Sequence, residues 1–297
     1  MINVGLIGYG RMGRKYFNFL HKNRDFKLVK ILRKKKVKKG QSLFLNSSHD
    51  FFNQNYIDLY IVASPVKTHF NYFKKILEKK KSLILEKPLV ADKSELQKII
   101  TFKSKIKNNL LIHHGDLYNP AYLKFKNKLK KIGHFKNIKM TYGKYQKIYK
   151  NKMSPFFDWF PHPLATSIDI LGVPSKIKIL KNEFFKINKF FFQKLIIKSY
   201  LKKKTVYIHF SNSLKSPKRR IEIKGDRGTI IFDGYQKKSL WYVKNSKKQI
   251  IKYKEMHSIE NMLSQLKVKF KKRNKINDIN ISIKVMKTLF KIQQKIL

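Results

Sequence analysis

Short apolar runs alternate with longer amphipathic stretches through the first 117 residues. The runs Asn3–Ile7, Lys27–Leu32, Leu59–Ala63, Ser82–Leu85 and Leu110–His113 have the length and β-branched content of buried strands. Between them, Arg11–His21, Val66–Lys79 and Lys93–Lys105 carry apolar residues at helical spacing. Strands alternating with helices imply crossover connections and a parallel sheet. Residues 33–55 fit neither period and are expected to hold one irregular helix.

Beyond Tyr118 the rhythm changes. A helix is expected over Ala121–Lys131, then a strand over Phe135–Tyr142. After a polar loop, the later half of FFDWFPHPLATSIDILG suggests a helix ending at Gly172. Strand-like runs then follow one another at Ser175–Phe185, Phe191–Tyr200, Thr205–Phe210, Arg220–Lys224, Gly228–Phe232 and Leu240–Val243. Strands in succession point to an open, mainly antiparallel sheet. Helices over Ser258–Lys271 and Ile279–Ile296 close the pattern. The expectation is an α/β chain of two domains, 1–117 and 118–297, with the last helix free to pack back on the first domain.

Composition changes this picture in one respect. With 69 basic and 17 acidic residues the chain carries a net charge of +52, which raises the possibility of a nucleic-acid or anionic-membrane partner. The lysines are dispersed instead of gathered in a patch, however, and only eight of the basic residues are arginine. Lys, Asn, Ile and Phe are abundant and Ala is scarce, the signature of an AT-rich coding sequence. The charge is therefore expected to reflect composition, with no specific nucleic-acid partner. No apolar run reaches the roughly 18 residues of a membrane-spanning helix, and Ile2–Ile7, without a basic leader, suggests a strand and not a secretory signal. The absence of cysteine excludes thiolate chemistry and fits a reducing, cytoplasmic setting. Histidine spacing suggests no metal site.

Three segments carry candidate chemistry. In VGLIGYGRMGRKY, Gly8, Gly10 and Gly13 have GxGxxG spacing between a strand and a helix. Glycines there permit a tight turn, backbone approach to a pyrophosphate and close helix–strand packing, with the helix N-terminus facing the phosphates. An acidic residue usually follows at the end of the second strand to bind the adenosine ribose; this chain has Arg33 and Lys34 there, which suit a 2′-phosphate and favour NADP over NAD. In LILEKPLV, Glu86, Lys87 and Pro88 end a strand, the edge where open α/β sheets bind ligands. A lysine held there can steer a hydroxyl and stabilise a developing oxyanion. In DWFPHP, Pro163 fits a helix's first turn and places His162 at its N-terminal edge, where the dipole favours neutral imidazole while Asp158 favours the charged form. Such a histidine suits proton transfer in an alcohol-to-ketone redox step.

In order and spacing, GYGRMG, VASPVKTHF, EKPL, LYNPAY, DWFPHPLATSIDILG and IEIKGDRGTIIFD together resemble the Gfo/Idh/MocA oxidoreductases, the family of glucose–fructose oxidoreductase and inositol dehydrogenase. That resemblance implies a Rossmann domain for NADP or NAD and a second α/β domain whose open sheet often serves oligomer contacts, here a dimer or tetramer. It implies hydride transfer between nicotinamide and a hydroxyl-bearing carbon of a sugar, nucleotide sugar or polyol. His162 would accept and donate the proton, Lys87 would polarise the reacting oxygen, and Asp158 would position substrate or the imidazole. Tyr9, Arg11 and Met12 would lie on the phosphate turn, with Ser64, Pro65, His69 and Glu86 toward the nicotinamide. Many members carry an aspartate soon after the histidine; here those places hold Pro163, Leu164 and Ala165. The sequence DWFPHP is similar to a subgroup that makes activated sugars for surface polysaccharides. The alternative is a non-catalytic dinucleotide-binding sensor or scaffold of the same fold.

Overall fold

A computed structural model describes residues 1–34, 42–147, 154–272 and 276–296. The chain divides into two compact units, Met1–His113 with Ile259–Ile283, and His114–Ser258 with Lys284–Leu297.

In the first unit, β1 (Ile2–Ile7), α1 (Arg11–His21), β2 (Phe26–Leu32), β3 (Phe44–Leu45), α2 (Ser48–Phe52), β4 (Leu59–Val62), α3 (His69–Glu78), β5 (Ser82–Glu86), α4 (Lys93–Phe102) and β6 (Leu110–His113) follow in order. The strands form a parallel sheet ordered β3-β2-β1-β4-β5-β6. Every residue of β4, β5 and β6 is buried, as continuous apolar strands covered on both faces require. Local sequence sets the helix starts. Asp92 caps α4 by accepting from Glu95 N, and Glu95 Oε2 reaches back to Ala91 N, so two end donors are satisfied reciprocally.

The second unit contains α5 (Pro120–Asn127), β7 (Phe135–Gly143), α6 (Pro155–Trp159), α7 (Pro161–Leu171), β8 (Lys176–Ile187), β9 (Phe190–Leu201), β10 (Lys204–Ser211), β11 (Lys218–Gly225), β12 (Gly228–Asp233), β13 (Leu240–Lys244) and β14 (Lys247–Ile250). Its sheet, among the described residues, has eight strands ordered β14-β13-β12-β11-β7-β10-β9-β8. The β7–β10 pair is parallel and the remaining pairs are antiparallel. Buried residues alternate along the centres of β7, β9, β10 and β11, so one face packs against the unit's core. The fold is thus α/β, a parallel Rossmann sheet followed by a mainly antiparallel one.

Two helices follow, α8 (Ser258–Lys271) and α9 (Ile279–Ile296). Residues 259–283 cluster with the first unit, although they come after the 117/118 boundary suggested by the change of rhythm. Backbone and side-chain bonds account for this: Leu110 N donates to Ile276 O, Ile112 N donates to Asp278 Oδ1, and Lys267 pairs with Asp25 at 2.7 Å. The division then falls inside α9.

Two segments differ from expectation. Where one irregular helix was expected over 33–55, the described part holds the two-residue strand β3 and the short α2, capped by Ser47; residues 35–41 lie outside the described ones. Strand β14 has no apolar alternation to announce it. It forms because Asn245 and Ser246 adopt positive φ (47° and 60°), the turn that folds a two-residue hairpin back on β13.

Candidate active site

In the first unit, β1 ends at the glycine turn. Gly8 has φ +94°, and a Cβ there would press within 2.7 Å of Ala63 O, so both conformation and space demand glycine. A Cβ on Gly13 would overlap the Gly8 carbonyl, which fixes how closely α1 packs on the turn. Gly10 is different: a Cβ there meets nothing within 4 Å. It is also the N-cap of α1 and supplies no side-chain acceptor. No side chain caps the N-terminus of this 11-residue helix, an arrangement that suits an anion such as a dinucleotide's pyrophosphate. Arg11 is exposed beside the turn and Met12 half-buried.

Tyr9 packs edge-on against Phe44 and Phe17, with centroids 5.2 and 5.7 Å apart. The Arg33 guanidinium lies 4.7 Å over the same Phe44 ring, and Arg33 N donates to Leu45 O. The end of β2 thus presents a stacked arginine with the exposed Lys34 next to it and no carboxylate at either position.

At the ends of β4 and β5, Ser64 and Thr68 share a 2.7 Å hydroxyl bond, and Thr68 also donates to Pro65 O. His69 is 1% exposed. Its Nδ1 lies 2.9 Å from Pro88 O and its Nε2 3.0 Å from Ser64 O, so one imidazole bridges the loops that follow the two strands. Burial pushes its pKa below the usual value, against the opposing pull of the two carbonyls. This places His69 as a strut that holds Ser64 and Pro88.

Glu86 is buried as well. Its Oε1 accepts from the Tyr16 hydroxyl at 2.9 Å and lies 2.7 Å from His113 Nδ1. Burial by itself would raise this carboxyl; His113, then Tyr16 and Lys87, outweigh burial and hold it below its ordinary value. Glu86 is therefore an internal anchor linking α1, β5 and β6, and Lys87, half-buried, follows directly at the carboxyl end of β5. The contacts of Tyr16 and His113 with Glu86 were not foreseen: Tyr16 closes VGLIGYGRMGRKY and His113 ends the last strand of the unit, and only the sheet register sets His113 beside Glu86.

In the second unit, α6 and α7 carry the DWFPHP segment. Pro155 and Pro161 start the two helices, and Gly172 ends α7 at φ +94°. Asp158 Oδ2 accepts from Gln146 Nε2 at 3.4 Å, while Trp159 Nε1 donates to Gln146 Oε1 at 2.8 Å. His162 is mostly buried, with Nδ1 3.8 Å from Asp116 Oδ2. The other oxygen of Asp116 accepts from Arg219 Nη1 at 3.1 Å. Arg219 in turn lies 5.9 Å from the Trp159 ring and 5.6 Å from Tyr235. Asp116 and Arg219 escaped the sequence reading. Asp116 immediately precedes LYNPAY, and Arg219 lies 103 residues away on β11, so spacing gave no hint of the pair. The chemistry available is a mostly buried imidazole beside a buried carboxylate paired with a guanidinium.

The family model of an oxidoreductase with an NAD-binding Rossmann fold, Gfo/Idh/MocA, matches residues 2–114. The oxidoreductase YdgJ of Escherichia coli (strain K12) is 21% identical over 193 residues, which is 60% of this chain and 56% of YdgJ. The chain thus spans little more than half of that relative. Among solved structures, biliverdin reductase of Synechocystis in complex with biliverdin and NADP+ superposes with a TM-score of 0.81 at 15% identity, over 99% of this chain and 98% of that one. UDP-N-acetylglucosamine 3-dehydrogenase GnnA of Acidithiobacillus ferrooxidans gives 0.81 at 13% identity, over 99% and 97%. At such identities these two establish likeness of fold.

Proposed function

We propose that this chain, whose residues 2–114 match the NAD-binding Rossmann model of the Gfo/Idh/MocA oxidoreductases, is a cytoplasmic, NADP-preferring dehydrogenase or reductase. It acts on a hydroxyl-bearing carbon of a sugar, nucleotide sugar or polyol, and works as a homo-oligomer. The observation that carries the nucleotide half is the phosphate turn: Gly10 has open space where a side chain would stand, and no side chain caps the α1 N-terminus. Arg33, stacked on Phe44, and Lys34 support a 2′-phosphate at the end of β2. When bound, the nicotinamide supplies or accepts a hydride.

The chain's own groups do the remaining work. Lys87, at the carboxyl end of β5, polarises the reacting oxygen and lowers the cost of negative charge developing on it. His162 takes the hydroxyl proton in oxidation and returns it in reduction. Asp158, tied to Gln146, orients substrate. The phosphate turn holds the dinucleotide, and the His69 bridge keeps the Ser64 and Pro88 loops in place beside it.

The experiment is a titration with NADPH and NADH followed by nicotinamide fluorescence, then turnover of nucleotide sugars and polyols with the preferred cofactor. Tighter binding of NADPH and turnover lost in both Lys87→Ala and His162→Ala support the proposal. Binding without any turnover of such substrates favours the sensor or scaffold alternative, and absence of binding ends both.

A further inference from the structure

Asp116 is 1% exposed and sits at a junction of cationic and aromatic groups. Removing a carboxylate from water is costly, and a paired guanidinium is what keeps it ionised. Arg219 supplies that pairing through Oδ1, and the carboxylate keeps its second oxygen toward His162 Nδ1. We propose that Asp116, fixed by Arg219, is the positioning carboxylate of His162: it turns Nδ1 inward, presents Nε2 to the substrate and steadies the imidazolium formed during turnover. This rests on the proposed role of His162 as proton carrier.

The groups around the pair come from several elements. Tyr142 on β7 is buried, and burial, reinforced by Asp116, drives its phenol well above the ordinary value, so it stays neutral. Tyr122 on α5 behaves likewise, through burial and then Asp169, to which it donates at 2.7 Å. Asp169 on α7 is occupied by Tyr122 and Lys126. Asp158 on α6 binds Gln146, Lys144 lies 5.9 Å from the Trp159 ring, and Tyr235 lies under Arg219. Of these, Arg219 carries a permanent positive charge and donates directly to Asp116. Loss of the Asp116 charge therefore acts twice on His162 in one direction. It removes the anion 3.8 Å from Nδ1 and leaves the Arg219 charge unbalanced, and both changes disfavour imidazolium. A 3.8 Å separation is long for a hydrogen bond; such contacts shorten when substrate closes a site.

The test is a proton titration of His162 by NMR in protein carrying ring-labelled histidine, its signal assigned as the one lost in His162→Gln. In Asp116→Asn, nearly the same shape without the charge, the His162 midpoint falls below that of the wild type. An unchanged or higher midpoint overturns the proposal. Arg219→Gln is a second variant for the case in which Asp116→Asn does not fold: removing the guanidinium takes away a cation that offsets the Asp116 charge, so the midpoint rises, and a midpoint that stays put overturns the proposal equally. These titrations need neither cofactor nor substrate, so they remain decisive if the sugar or polyol activity proves wrong. Where turnover is found, Asp116→Asn lowers kcat about a hundredfold with KM little changed, as expected for a misoriented proton carrier. The histidine limb of its pH profile moves to lower pH.

Discussion

Glu86 and His113 stand opposite each other in the parallel β5–β6 register, with Oε1 2.7 Å from Nδ1 and both side chains almost wholly enclosed. The pair lies one residue before Lys87 and is completed by Tyr16 from α1. Its position makes the geometry of the β5 end depend on a buried charge.

The consequence for stability has a definite sign. Glu86 is held below the ordinary carboxyl value of 4.5, so the folded state binds its proton less readily than the unfolded chain. Its contribution is complete above pH 4.5 and is lost as pH falls toward and through the lower folded value. Glu86→Gln should cost about 3 kcal/mol at neutral pH, the usual effect of breaking a buried ionic contact. Urea unfolding at a series of pH values checks this; the difference between wild type and variant should shrink on acidification below pH 4.5.

His69 gives a separate acid dependence. Burial lowers its pKa from 6.5, so the unfolded chain takes up this proton first and stability declines as pH drops below 6.5 toward the folded value. His69→Gln should remove that part of the pH profile. Because His69 braces Ser64 and Pro88, the variant should also weaken nucleotide binding, by about tenfold for the loss of roughly one 1–1.5 kcal/mol hydrogen bond. Thermal melts between pH 5 and 7, with NADPH titration alongside, separate the two effects.

The strands and helices of both units were legible because their apolar periods are long: α1, β6, α8 and α9 have the bounds that periodicity suggests. What escaped was short or distant. Strand β14 depends on two positive-φ residues in a lysine-rich hairpin. The Asp116–Arg219 pair joins positions brought together only by tertiary packing. The same holds for Tyr16 with Glu86, 70 residues apart, whose contact no local spacing encodes. Glycine spacing was readable, by contrast, since a strand-to-helix turn is a local structure.

Cofactor choice turns on the end of β2. Replacing Arg33 with Asp and Lys34 with Ser removes both cations and restores the carboxylate that binds an unphosphorylated ribose. NADPH affinity should fall about tenfold to a hundredfold, matching the loss of one or two charge-assisted bonds of roughly 1.5–3 kcal/mol, while NADH affinity holds or rises. Fluorescence titration of both nucleotides gives the ratio, and an unchanged ratio would remove Arg33 and Lys34 from the site.

The second and third glycines of the phosphate turn make opposite predictions. At Gly13 an added methyl overlaps the Gly8 carbonyl, so Gly13→Ala must push α1 off the turn and should destabilise the protein by about 1–3 kcal/mol, as overpacking does. At Gly10 the same methyl enters open space. The fold should hardly notice Gly10→Ala, since replacing a capping glycine costs the isolated helix only about 1 kcal/mol or less. Yet the second glycine of such a turn is the one whose bare backbone lets a pyrophosphate approach, and a methyl there stands in the way. Gly10→Ala should therefore melt close to the wild type and bind NADPH at least tenfold more weakly, whereas Gly13→Ala should lose stability first. If Gly10→Ala kept full NADPH affinity, the nucleotide would have to bind elsewhere than at this turn.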